Sequence, residues 1–468
     1  MSPAKREKGQ DMSGIDADVF GGRMPSGAGD FAIETHGITP VPEANRFGRP
    51  WRLASVWFAP NLTMTAVFTG TLGSTLGLGF TTGFIVALVG TILGSLPPAY
   101  LSTWGPKTGT GQLPLARLPF GKTVVLPGLV QWLGSIAWDA LVGLFGGEAL
   151  AELTGLPFWL AVVLVLVLQC LLGVFGYAVI HRVQAVMSAV LVVAFVALAV
   201  KVVLDHPITF TDSATGGDYA GAIVLFSTIT LSLAISWAPY AADFSRYLPA
   251  DTKPAGVFWF TLLGLVASYA LGEGIGLALG SALGDQTAAG VSQLVGGGVV
   301  GGLALLVIAL AAVSSNAMND YSGSLALQTV GVRLRRPVSA VVVTVLAFVL
   351  ILWMHSGDLS AKFENVLLFV SYWIPPFLGV VVPDWLRRTR HGRRFDVVAE
   401  LRKPIRSWAA LVAFGVGFAA AVPFMNTTVY TGPVAAALHG ADLAYYAGFV
   451  VSLVAYLLLR GGKKVDLQ

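Results

Sequence analysis

Three stretches carry polar side chains inside otherwise apolar sequence. GLVQWLGSIAWDALVGLFGGEAL sets Trp138 beside Asp139, with Glu148 further along; AISWAPYAADFSRYLP holds Trp237; LAAVSSNAMNDYSGSLALQ brings together Ser314, Ser315, Asn316, Asn319 and Asp320. Indole faces stack on flat rings, and a carboxamide offers a donor and an acceptor side by side, matching the edge of a nitrogen heterocycle. Two tryptophans with asparagine amides suit a small planar polar heterocycle. A sugar site would use tryptophans too, and indoles also serve simple helix packing. At about 100° per residue, Asn316, Asn319 and Asp320 share one helical face, Asp139 lies about 100° from Trp138, and Glu148 lies about 180° from Asp139. The last two acids cannot line one pocket on a regular helix. Asp139 is therefore assigned to the pocket and Glu148 to a structural hydrogen bond near the outer end; Glu273, in GEGIGLALG, is read as structural.

Other chemistries fit less well. The six histidines, His36, His181, His206, His355, His391 and His439, are scattered, and none lies within four residues of another, so no helical metal-ligand pair exists. ARLPFGKT, residues 116–123, approximates G-x-x-x-x-G-K-[ST], with Ala116 in place of the first glycine. Pro114 and Pro119 forbid the strand a phosphate loop requires, so the stretch reads as a loop with Lys122 at a membrane surface. The single cysteine, Cys170, sits in AVVLVLVLQCLLGVFG, excludes an intrachain disulfide and reads as an inert core thiol. The chain is expected not to be an enzyme and to hold no metal.

These residues need an unusual scaffold. The chain is 55% hydrophobic and 12% charged, against about 25% charged in soluble domains, so it reads as an integral membrane protein. A helix crosses a bilayer with about 20 apolar residues. Twelve such segments are predicted, near 53–78, 81–104, 124–151, 157–177, 180–204, 219–246, 255–281, 294–327, 338–355, 361–385, 406–426 and 441–460. The polar first fifty residues lack the apolar run of a signal peptide and read as a disordered tail. Twelve crossings place both termini on one side. All but Lys201 and Lys362 of the 29 lysines and arginines then fall on that side, which the positive-inside rule makes cytoplasmic. The expected location is the plasma membrane, with both termini in the cytoplasm. The charge bias implies a lipid partner and no nucleic acid, and RRTRHGRR reads as a solvated, lipid-facing cytoplasmic loop.

Two of these segments are broken. VWFAPNLTMTAVFTG carries Pro60 and Asn61, and AISWAPYAADFSRYLP carries Pro239. Proline frees a carbonyl one turn earlier, which is tolerated in a membrane only against protein or a water-filled cavity. Breaks five helices apart fit an inverted repeat of five plus five helices, with a ligand held between them.

IETHGITPVPEANRFGR, WFAPNLT, GPKTGTGQLPLARLPFG, WAPYAADFSRYLP and SSNAMNDYSGSLALQ, spread over residues 33–330, resemble segments of the purine-cytosine permease branch of the nucleobase-cation-symport family, which includes the hydantoin transporter. The resemblance implies an all-α, LeuT-like fold of twelve transmembrane helices. Its parts are a tail (1–50), a first repeat of helices 1–5 (51–204), an inverted second repeat of helices 6–10 (205–385), a basic loop with helices 11 and 12 (386–460) and a short carboxyl-terminal tail (461–468).

It also implies import by cation symport through alternating access, with cytosine or a purine favoured as substrate. Allantoin, a hydantoin, a thiamine-related pyrimidine and a nucleoside are alternatives, as is a sensor that binds without transporting. By position, Trp138 and Trp237 match the family's stacking tryptophans and Asn319 its substrate-bonding asparagine; Asn316 and Asn61 join this set. Val142 stands where family members carry an amide, and Asp139 is expected to compensate. The hydroxyl pair of sodium-driven relatives aligns with Val313 and Ser314, so one oxygen is lost unless Ser315 replaces it. A proton on Asp139 or Asp320 is therefore favoured over sodium as the coupling ion, and no other cofactor is expected. Pro60 and Pro239 are assigned to gating, as are Pro375 and Pro376 of WIPPFLG, where the resemblance implies a bending outer gate. Asp243 and Arg246 are assigned to a cytoplasmic gate or loop anchor.

Overall fold

The structure is a computed structural model that describes residues 37–174, 177–280, 287–332, 336–390, 396–402 and 408–461. Most of the expected amino-terminal tail, the carboxyl-terminal tail beyond residue 461 and part of the RRTRHGRR loop lie outside the described residues.

Twelve helical spans run through the described residues. They are α1 (Arg52–Phe58 and Met64–Thr75), α2 (Phe80–Ser102), α3 (Val125–Thr154), α4 (Phe158–Val174), α5 (Tyr177–Asp205), α6 (Gly216–Ile235, extended by a 3-10 segment, Ala238–Phe244), α7 (Pro254–Leu279), α8 (Gly298–Val330), α9 (Arg336–His355), α10 (Leu359–Phe369 and Ile374–Thr389), α11 (Trp408–Ala421) and α12 (Ala444–Gly461). Seven are long and apolar enough to cross a membrane by that test alone, and α4, α9, α11 and α12 are shorter apolar helices. The first span fails a length test because its break at residues 59–63 leaves two short halves.

The helices sort into two groups. α1, α2, α6 and α7 pack as a bundle, while α3, α4, α8 and α9 form a second body in which α3 and α8 make the most extensive contact. α5 touches both groups, the first half of α10 bridges α3 and α6, and α11 and α12 pack on each other and on the second half of α10. Large apolar side chains such as Leu133, Val193, Trp259 and Leu458 point outward, as contact with lipid requires. This is the five-plus-five arrangement with two appended helices.

Two sequence expectations change. The α2–α3 connection is not an open loop: Trp104–Thr108 and Gln112–Phe120 are helical, and Leu113, Leu115, Leu118 and Phe120 are buried. Pro114 fits because it occupies the first turn of its helix, where its missing N–H has no intrahelical partner anyway. No strand precedes Gly121, in keeping with the rejection of a phosphate loop. The basic run that begins in the last turn of α10 is not wholly solvated either. Arg388 donates to Asp384 (2.6 Å), Glu400 (3.2 Å) and the Leu118 carbonyl (3.0 Å), tying α10 to the Gln112–Phe120 helix.

Candidate substrate site

The break in α1 organises the centre of the molecule. Asn61 folds back to donate to the Trp57 carbonyl (2.5 Å), and its Oδ1 accepts from Trp237 Nε1 (2.6 Å) and from the Tyr269 hydroxyl of α7 (2.6 Å). Three of the four hydrogen-bonding positions of this amide are thus occupied by protein. Asn61, expected among the substrate-binding residues, is placed as the support that fixes Trp237. Trp57 reinforces it edge-on, with ring centroids 5.4 Å apart, and packs in turn on Phe244 at 5.5 Å. Pro239, just past Trp237, follows the end of regular helix at Ile235, so the indole sits where α6 loosens into its 3-10 segment.

On the other body, Trp138 comes from α3 and Asn319 from α8. Trp138, Trp237 and Asn319 are 9%, 7% and 3% exposed, so all three are buried at the centre of the molecule. Val142, one turn beyond Trp138, is buried and brings no polar group. Asn316 is engaged with protein: it donates to the Asp139 carbonyl (3.0 Å) and to Gln169 of α4 (2.8 Å), and it accepts from Asn319 (3.3 Å). Asn319 is left as the amide poised at the centre. The carboxyl of Asp139 is directed toward Asp320 and Cys170, with the Asn319 amide also approaching it. Two apolar grooves lie elsewhere. One of about 660 Å³ lies between α3, α9 and α10, and one of about 260 Å³ between α5 and α8.

Of the helix 8 hydroxyls weighed from the sequence, it is Ser315 that turns toward α1. Ser315, not the Val313–Ser314 pair, faces α1, donating to the Pro60 carbonyl (2.8 Å) that the break sets free. Ser314 turns to α5, where it donates to Gln184 Oε1 (3.0 Å) while Gln184 Nε2 donates to its carbonyl (2.8 Å). The physical reason is the 100° step between neighbours on a helix: only one of two adjacent serines can point at α1.

Two further regions join the bodies. At the face holding the amino-terminal segment, Arg246 is fully buried and donates to the Gly37 carbonyl (2.7 Å) and to the Tyr321 hydroxyl of α8 (2.8 Å). Asp243 accepts from the backbone N–H of Gln112 (2.8 Å), placing its charge at the amino end of the Gln112–Phe120 helix, where the helix dipole favours an anion. At the opposite side, α10 breaks at residues 370–373, and Pro375 and Pro376 open its second half, where missing N–H groups cost little. Ser371 in the break lies 2.8 Å from Ser236 of α6, and Tyr372 donates to Asp442 just before α12. The two remaining acids have structural partners: Glu148 lies 3.6 Å from His355 of α9, and Glu273 accepts from Thr91 of α2 (2.8 Å).

Sequence reasoning passed over Trp57, Tyr269, Gln169, Gln184 and Tyr321. Gln169 had a readable signal, a lone amide in an apolar helix, but it stands beside the more conspicuous Cys170. Tyr269 and Tyr321 act only through long-range contacts and gave none.

Comparisons agree with this architecture. The family model for permeases of cytosine and purines, uracil, thiamine and allantoin matches residues 40–448. The chain is 28% identical over 447 residues to the protein YxlA of Bacillus subtilis, covering 91% of this chain and 96% of the relative. It is 25% identical over 455 residues to the purine-cytosine permease fcyB of Emericella nidulans, covering 92% and 89%. Among solved structures, it superposes on Mhp1, a nucleobase-cation-symport-1 family transporter, in a closed conformation with bromovinylhydantoin bound, with a TM-score of 0.74 at 19% identity, covering 92% of this chain and 95% of that one. With the family model matched over most of its length and a LeuT-like helical fold around the α1 break, the chain belongs to the nucleobase-cation-symport family and is a multi-pass membrane permease of purine-cytosine type, not an enzyme.

Proposed function

We propose that the protein imports a nucleobase or a related planar nitrogen heterocycle, cytosine or a purine first among them, across the plasma membrane by cation symport. The observation that carries this reading is the fixing of Trp237 by Asn61 and Tyr269. An indole whose N–H is already bound to protein offers a ring face rather than a hydrogen bond. The substrate stacks between Trp138 and Trp237, and Asn319, steadied by Asn316, reads its edge. The bundle of α1, α2, α6 and α7 then rocks against the body of α3, α4, α8 and α9, with the amino-terminal face toward the cytoplasm.

The favoured cation is a proton. Only one hydroxyl of the Ser314–Ser315 pair faces α1, which leaves a hard cation one oxygen ligand fewer there than two hydroxyls would give. A second substrate reading, allantoin or a hydantoin, draws on Val142: losing an amide there removes a partner for a base, and allantoin is within the family description.

A thermal-shift panel on detergent-purified protein tests both, using cytosine, adenine, hypoxanthine, uracil, allantoin and a hydantoin. A ligand that binds only the folded state raises its apparent stability. One base is expected to stabilise the protein, with Trp138→Ala and Asn319→Ala each weakening binding about 10- to 100-fold, the scale of about 1–3 kcal/mol for a lost stacking partner or a lost hydrogen bond. Stabilisation by allantoin alone would select the second reading. Stabilisation by none, in a cooperatively unfolding protein, would reject both. Uptake of the selected ligand into vesicles separates a carrier from a sensor.

A further inference from the structure

One pair of buried carboxyls accepts no hydrogen bond of normal geometry in the network described above. Asp139 of α3 and Asp320 of α8 both lie in the interior of α3, α4 and α8: Asn316 of α8 bonds the Asp139 carbonyl, Asp320 packs against Gly173 of α4, and the two carboxyls turn toward each other. None of their four carboxylate oxygens reaches solvent or accepts a hydrogen bond of normal geometry. Gln169 of α4 is 0% exposed, and its Nε2 is directed at Asp320 without reaching normal hydrogen-bond geometry. Its Oε1 already accepts from Asn316, so the amide presents N–H groups to the carboxyl pair. The other titratable groups acting on the pair are the Cys170 thiol from α4 and the Tyr240 phenol from the segment after α6, neither of them a cation.

Two buried carboxylates turned toward each other with no cation beside them repel each other strongly in a low-dielectric interior. One proton between them replaces that repulsion with a short O–H···O⁻ hydrogen bond. A hard metal ion is a poorer fit, since it needs several oxygen ligands around it and Gln169 turns a donor toward the site. Building on the symport reading above, we propose that the Asp139–Asp320 pair is the coupling-ion site and binds one proton inside the α3–α4–α8 body, not in the gap between α1 and α8.

The network also supplies the coupling. Asn319 approaches the Asp139 carboxyl and is the amide poised to read substrate. When substrate takes that amide, Asp139 loses its nearest donor and the pair holds its proton more tightly. By reciprocity, a bound proton releases Asn319 for substrate. Proton and substrate therefore bind cooperatively and cross together, the proton taken up on the substrate-loading side and released on the other.

The decisive measurement needs no substrate. Infrared difference spectra of the ligand-free full-length protein, titrated from acid to alkaline pH, should show one protonated-carboxyl band that is lost in both Asp139→Asn and Asp320→Asn. In vesicles without sodium, an inward proton gradient should drive cytosine accumulation at least tenfold above equilibrium, and each variant should abolish it. Absence of the band in the wild type at every pH, or its survival in both variants, would overturn the proposal, as would gradient-driven accumulation that persists in both. A band that behaves as expected, in a protein that no base stabilises, would instead uphold the proton site and reject the substrate reading.

Discussion

Gly276→Val is expected to prevent proper assembly. The second half of α1 and α7 meet backbone to backbone: a Cβ at Gly276 would lie 1.9 Å from the Val67 carbonyl oxygen and 2.9 Å from the Gly70 Cα. A Cβ at Gly70 would in turn lie 2.2 Å from the Glu273 carbonyl. No flexible side chain can yield here, so the two helices must separate by more than an ångström, and the interlocked contact, made by small residues as in other membrane helix pairs, is lost along its length. The cost is about 4 kcal/mol or more, at the far end of what single substitutions do. The same half of α1 leads into the Pro60 break, so displacing it also displaces Asn61 and, through it, Trp237. Size-exclusion chromatography and thermal melts check this, with Gly415→Val as the control, since a Cβ at Gly415 meets nothing within 4 Å. Equal stability of the two variants would show that the close approach does not exist.

The parts of this architecture legible in sequence are those with a one-dimensional physical signal. Apolar runs of bilayer length mark the helices, and the placement of lysines and arginines fixes their number, because one missed helix would reverse every later loop. Pro60 and Pro375–Pro376 mark the broken helices for a chemical reason, the lost N–H. Side-chain direction was less legible. Choosing between Ser314 and Ser315 needs a helix register accurate to one residue, and the structure settles it through a contact with Pro60, 255 positions away in sequence. Asn61 reads as a substrate amide until its partners are seen, because the contact that occupies it, Trp237, is 176 positions distant. The Gln112–Phe120 helix was hidden by its two prolines, which argue against a strand but say little about a helix that begins beside one of them. Asp139 and Asp320 were each visible as costly acids. That they face one another was not, since nothing in spacing links helices so far apart in the chain.

Arg246→Ala should shift the protein toward a state open at its amino-terminal face. The side chain is fully buried, and its Nη1 and Nη2 reach separate structures, the Gly37 carbonyl in the segment before α1 and the Tyr321 hydroxyl on α8. Its own backbone follows the 3-10 end of α6, so it joins the bundle to the second body at the amino-terminal face. Its guanidinium also stacks over the Tyr247 ring, 5.3 Å from the centroid. A hydrogen bond from a charged donor contributes about 1.5–3 kcal/mol, so losing the link to Tyr321 alone shifts the closed-to-open ratio by roughly 10- to 100-fold. Lysine cannot restore the wild type: one ammonium on a flexible stem lacks the planar fork that reaches both acceptors at once. Arg246→Lys should therefore fall between wild type and alanine. Amide hydrogen exchange of residues 37–50 and 104–120 reads the shift directly, with faster exchange expected in Arg246→Ala and exchange near α10 and Asp442 unchanged. Faster exchange throughout the chain would mean that Arg246 serves overall stability and not the gate, whereas faster exchange confined to the amino-terminal face would identify it as the contact that must break for that face to open.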